Sequence, residues 1–274
     1  MDIITSLFSY SFILRAFIVG IMVSLCASLL GVNLVLKRYS MIGDGLSHVS
    51  FGALAIAAAL NSSPLAVSVP IVVIAAFFLL RITENEKING DAAIAIFSST
   101  ALAVGIIITS LTTGINSDVC NFMFGSILAM SRTDVFISVI LSAVVFIMYI
   151  VSYNRIFAIT FDEKFCRATG VRVDLYNMLI AVLTALTIVL GMRIMGSLLI
   201  SSLIIFPALS AMRICRHFKG VIILSAIIGA VCFFLGIVFS YALEIPVGAS
   251  VVAVNLILFI TLCMLGKARN LIVK

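Results

Sequence analysis

Nine continuous apolar runs leave this chain little freedom in what it can become. They cover 13–36, 44–60, 65–81, 91–111, 134–154, 176–193, 195–212, 221–243 and 247–266. Each is long enough, or nearly so, to cross a hydrocarbon core ~30 Å thick at a rise of ~1.5 Å per helical residue. Only 10% of the 274 residues are charged and 64% are hydrophobic, whereas a soluble domain carries about 25% charged residues. There is too little polar sequence to cover a water-facing surface. A transmembrane barrel would need ~10-residue segments that alternate apolar and polar positions. These runs are unbroken and rich in Ala, Leu and Gly, as packed membrane helices are. The expectation is an all-α polytopic bundle of about eight to nine spans, forming one transmembrane domain over residues 1–274. The runs 176–193 and 195–212 are separated only by a break at Met192-Arg193-Ile194, and the short apolar stretch 119–131 reads as a re-entrant or interfacial helix.

The cations orient the bundle. Alternate breaks collect Lys37, Arg38, Arg81, Lys87, Arg155, Lys164, Arg167, Arg172, Arg213, Arg216, Lys219, Lys267, Arg269 and Lys274 on one side, and Arg15, Arg132 and Arg193 on the other. That is 14 against 3 of the 17 cations, so the first side is cytoplasmic, with the C-terminus inside and the N-terminus outside. The net charge of +6 is spread between spans rather than gathered on one surface, which is no nucleic-acid footprint. The first twelve residues carry Asp2 and no Lys or Arg, the wrong start for a cleavable signal. Six scattered cysteines, with no C-x-x-C pair, read as small buried hydrophobes.

Few residues are equipped for chemistry. There is no phosphate loop of the G-x-x-x-x-G-K-[ST] kind, no H-E-x-x-H helix and no G-x-S-x-G elbow. The notable pair is Asp44 and His48, at the mouth of an apolar run. Four residues is just over one helical turn, so carboxylate and imidazole share a face. Together they make half a divalent-metal site. Asp44 also has a simpler reading, as the N-cap of a helix that follows Gly43. That reading leaves His48 needing a partner inside a membrane helix, where charged groups mark pathways. Glu244, between the last two spans, is either a turn residue or, with Asp118, part of a cation-attracting outer mouth. His217, among Arg213, Arg216 and Lys219, reads as part of a solvated basic loop.

The longest polar interruption, 155–175, has its own structure. Asp162 can cap a short helix over 163–169 and Gly170 can end it, with Phe161 and Phe165 on one face. A cytoplasmic helix with an apolar stripe between charged flanks suits a groove on a partner. The alternative is a helix lying flat on the bilayer, against which Asp162, Glu163 and Asp174 argue, because the inner leaflet is anionic.

Six segments resemble the membrane permease subunits of bacterial ABC importers for zinc, manganese or iron. Lys37 to His48 is similar to the turn into a G-D-A-L-S-H helix, Gly90 to Ile96 to G-D-A-A-I-G-I, and Met123 to Ser131 to L-F-G-N-I-L-A-V-S. Phe161 to Gly170 resembles F-D-P-E-F-A-R-A-L-G, Met195 to Ala208 resembles V-G-x-L-L-V-S-A-L-L-V-I-P-A, and Leu243 to Gly248 resembles L-D-L-P-T-G. The resemblance runs from about residue 11 to 266. Gly45 stands for the family's Ala, Cys166 for Ala and Glu244 for Asp, and no ligand is lost.

The resemblance implies a homodimer of permease subunits in the bacterial inner membrane, served by cytoplasmic ATP-binding subunits and an extracellular or periplasmic metal-binding protein. It implies that residues 161–171, with Phe161, Asp162, Phe165, Arg167, Ala168 and Gly170, contact the ATPase. It puts Asp44 and His48 on the metal pathway. The chain would be a transport subunit and not an enzyme, with no permanently bound cofactor and a divalent metal as cargo. The wording of 40–51 favours zinc over manganese. Two other classes fit parts of the sequence: an ATP-independent secondary metal transporter, and an intramembrane metal-dependent enzyme using Asp44 and His48.

Overall fold

A computed structural model describes residues 11–83, 90–112 and 132–272. These form ten helices and, among the described residues, no strand: α1 (Ser11–Leu36), α2 (Ser40–Ala59), α3 (Pro64–Thr83), α4 (Gly90–Leu111), α5 (Arg132–Phe161), α6 (Glu163–Ala168), α7 (Val173–Met195), α8 (Ser197–Ile214), α9 (Phe218–Leu243) and α10 (Val247–Ile272). Eight are long and apolar enough to cross a membrane. The exceptions are the single-turn α6 and α8, whose apolar stretch is the shorter Leu199–Ile214. The segment 119–131, the third motif, Asp118 and Lys87 lie outside the described residues.

The helix boundaries correct three expectations. Arg193 does not break the chain; α7 continues to Met195 and the break falls at Gly196, with φ +83° and ψ 166°. That backbone region belongs almost solely to glycine. The polar interruption expected at 155 starts later, because α5 runs 30 residues to Phe161. Finally, α2 begins at Ser40, so Asp44 lies one turn inside the helix and Tyr39 occupies the cap position. The chain turns sharply there because α1 closes on itself: Arg38 takes φ +62°, its N–H reaches Val35 O at 3.1 Å, and Tyr39 N–H reaches Leu34 O at 2.7 Å. This is the paired bonding that ends helices at a left-handed residue.

Helix α1 is packed by α5, α7, α8 and α9, while α2 is packed by α3, α4, α7 and α8. Water drives no association between helices in lipid, so close backbone approach must supply the cohesion. Two glycines allow it. A Cβ on Gly31 of α1 would lie 1.9 Å from the carbonyl oxygen of Ile204 in α8. A Cβ on Gly52 of α2 would lie 2.8 Å from that of Ala101 in α4. Of the six cysteines, the five described ones are free thiols, as the scattered spacing implied.

Candidate functional site

Helix α2 is almost wholly buried from Ile42 to Ala55, except along one stripe. Met41, Asp44 and His48 make that stripe, at the i, i+3, i+7 positions of one face. The Asp44 side chain keeps 44% of its surface and His48 24%. His48 Nε2 stands 3.7 Å from Asp44 Oδ2. That is too long for a hydrogen bond. Two ligands ~2.0–2.2 Å from one ion stand at most about 4.2 Å apart, so the gap suits a shared cation. The N-cap reading of Asp44 does not survive, because its carboxylate accepts from Ser201 Oγ of α8 at 3.3 Å instead. Ser201 shares that hydrogen with Ser197 O at 3.4 Å. Ser201 lies in the fifth motif, but nothing around it in the sequence marks it as a neighbour of α2. Among the described residues no cluster of three or more His, Cys, Asp and Glu exists. One chain therefore offers a carboxylate, an imidazole and a hydroxyl side by side, too few ionisable ligands to trap a cation.

The α6 segment forms as its sequence dictates. Asp162 Oδ1 accepts from Phe165 N–H at 2.9 Å and starts the helix. Gly170 ends it at φ +81°, with Gly170 N–H on Arg167 O and Val171 N–H on Cys166 O. Buried Cys166 packs with Ile159 and Val173, holding α6 against the ends of α5 and α7. Phe165, at 64%, and Ala168 face outward. Phe161 is exposed too, but it is the last residue of α5 rather than part of the α6 face. Its ring packs on Phe157 and Phe218, with centroids 5.1 and 5.6 Å away. Arg167 bridges Glu163 at 3.1 Å and Asp174 at 2.6 Å, and these two carboxylates raise the guanidinium pKa above its ordinary value.

Behind α6 lies a polar group that sequence reading missed. Lys37, at the end of α1, is only 9% exposed in its side chain and meets Glu163 Oε2 at 3.5 Å. Its Nζ also donates to Asn177 Oδ1 of α7. One turn back on α1, Asn33 donates to Tyr149 Oη at 2.7 Å and accepts from Thr160 Oγ1 at 3.3 Å, both on α5. The partners are more than a hundred residues away in sequence, so no local pattern announces them.

Glu244 is exposed and holds the left-handed position after α9, with φ +53° and Ile245 N–H on Ser240 O at 3.2 Å. It is a turn residue on these contacts, and the structure does not bring it to Asp44. His217 precedes α9 and is exposed, in keeping with a solvated loop.

A family model described as "ABC 3 transport family" matches residues 9–266. The chain is 32% identical to a "Probable metal transport system membrane protein" of Treponema pallidum, covering 95% of this chain and 99% of that one. It is 28% identical to the "Manganese transport system membrane protein MntC" of Halalkalibacterium halodurans, covering 92% and 87%. Among solved structures it is similar to "PsaBC from Streptococcus pneumoniae in complex with Fab", with a TM-score of 0.86 and 30% identity over 95% of this chain and 94% of that one. The apolar helices and these relatives make it a multi-pass protein of the bacterial inner membrane, and a transport subunit rather than an enzyme. From Asp44 and His48 on an otherwise buried α2 to the capped α6, the features lie within the matched span, and the chain belongs to the ABC 3 transport family.

Proposed function

We propose that this chain is the single-domain permease of an ATP-driven importer for a divalent transition metal, and that the cargo passes Asp44 and His48. The observation that carries this is the uncovered stripe on α2: a carboxylate and an imidazole 3.7 Å apart on a helix whose other faces are packed. Two copies facing each other would double the ligand set to four ionisable groups. Exposed α6, with Phe165, Arg167 and Ala168, is the docking point for a cytoplasmic ATPase, and Phe161 flanks it. An extracellular binding protein would deliver the ion at the opposite end, near Glu244. Closure of the ATPases on α6 would shift the helices between outward- and inward-open arrangements.

Asp44 and Ser201 supply oxygen and His48 supplies nitrogen, a set that takes manganese, iron or zinc. The wording of 40–51 favours zinc, while a relative named for manganese supports manganese; both ions belong in the test. The complex would be placed in proteoliposomes and uptake of radiolabelled zinc and manganese measured per permease. His48→Gln keeps a hydrogen-bonding side chain but is a poor ligand, and Asp44→Asn removes the charge. Each is expected to cut uptake at least about tenfold while the permease still reaches the membrane. Near-normal uptake by both variants would overturn the pathway. A secondary transporter would instead take up metal without ATP or an ATPase.

A further inference from the structure

We infer that Lys37 is a positioning residue that carries movement of α6 into the metal site. The inference rests on the permease reading above and names the contact through which an ATPase would reach Asp44.

An ammonium group only 9% exposed is tolerated where it is paired and hydrogen-bonded. Lys37 has both: Glu163 on α6 and Asn177 on α7. Glu163 is itself held by Arg167, which Asp174 holds in turn. The first residue of α6 is thus tied by charge to the end of α1. That end is not an arbitrary place. Lys37 opens the turn Lys37-Arg38-Tyr39, which passes directly into α2. Its backbone is fixed by three hydrogen bonds, from Lys37, Arg38 and Tyr39 N–H to Asn33, Val35 and Leu34 O. Such a turn passes on displacement rather than absorbing it. Asp44 follows one helical turn into α2 and His48 one turn later. A push on α6 reaches the α1–α2 corner through this charged tie, beside the apolar contacts of Cys166 that seat α6 on α5 and α7.

The test separates driving from mere support. The permease with its ATPase in proteoliposomes is assayed for ATP hydrolysis and for manganese and zinc uptake, per assembled complex. Lys37→Met fills the same space without charge. It is expected to leave hydrolysis running while uptake per ATP falls about tenfold. Lys37→Arg, which keeps the pair with Glu163, should recover most of that loss. Because Lys37→Met leaves Glu163 without its cation, the double variant Lys37→Met/Glu163→Met is the control. If the pair only stabilises the fold, removing both charges restores uptake per complex, and the inference falls. If it drives the site, the double variant stays as uncoupled as the single one. Equal uptake per ATP in Lys37→Met and the unaltered permease would also overturn it. Failure of the unaltered permease to hold an ATPase would instead sink the permease reading.

Discussion

Ser201 Oγ and Asp44 Oδ1 meet at 3.3 Å across the α2–α8 boundary, the one hydrogen bond that reaches the Asp44 carboxylate from another helix among the described residues. A hydroxyl in that position donates to the carboxylate and holds its direction. Ser201→Ala removes the donor and leaves the charge. The expected result is a rise of about two- to tenfold in the apparent KM for metal, with little change in maximal rate, since hydrogen bonds to charged groups contribute ~1.5–3 kcal/mol at most and this one is half exposed. Uptake kinetics over a range of metal concentrations check it.

Gly170 offers a purely conformational test of α6. Its φ is +81°, and an added Cβ would meet nothing within 4 Å. Any penalty at this site is therefore backbone strain, about 1–2 kcal/mol for an ordinary L residue and more for a β-branched one. Gly170→Val should leave expression and insertion intact while lowering metal uptake relative to ATP hydrolysis. Gly170→Asn, better suited to the left-handed region, should lie between. Unchanged uptake in Gly170→Val would remove the case for a fixed helix stop.

Gly196 should behave differently. Its φ and ψ fall where only glycine is at ease, and the α7–α8 corner it forms is buried between Met195 and Ser197. Backbone strain of ~1–3 kcal/mol there has no solvent-exposed outlet. Gly196→Ala is expected to lower the thermal midpoint of the purified permease and its yield in the membrane. A midpoint equal to that of the unaltered protein would show that the corner relaxes freely.

Orientation can be read directly. Position 164 lies exposed on α6, on the cation-rich side. In a cysteine-free background, Lys164→Cys should react with an impermeant thiol reagent in inside-out vesicles and not in intact cells. Labelling from outside intact cells would reverse the topology.

The bundle and α6 were legible because their signals are local. Apolar runs announce spans, and Asp162 and Gly170 announce the two ends of one short helix. The alternative reading of Asp44 as a cap fails for a specific reason. The true start of α2 is set by α1 closing at Arg38, a non-glycine in a left-handed turn, which no residue preference advertises. Arg193 interrupts the apolar pattern because it is charged, whereas the α7–α8 break needs the backbone freedom of Gly196. Ser201 and Lys37 were out of reach altogether. Their partners lie 157 residues away for Ser201, and 126 and 140 for Lys37, and only tertiary packing brings such residues together.

The two glycine contacts divide the helices by how they can slip. Where Gly52 meets Ala101 and Gly31 meets Ile204, main chain rests on main chain, with no side chain between to reshape itself. So α2 keeps step with α4, and α1 with α8, as two stiff slabs. Between the slabs the contacts are softer: Gly43 against the tip of Ile204, and Asp44 against the Ser201 hydroxyl. The softer of these boundaries thus runs past the carboxylate itself. A displacement too small to unpack either slab is enough to move the Asp44 carboxylate relative to the Ser201 hydroxyl.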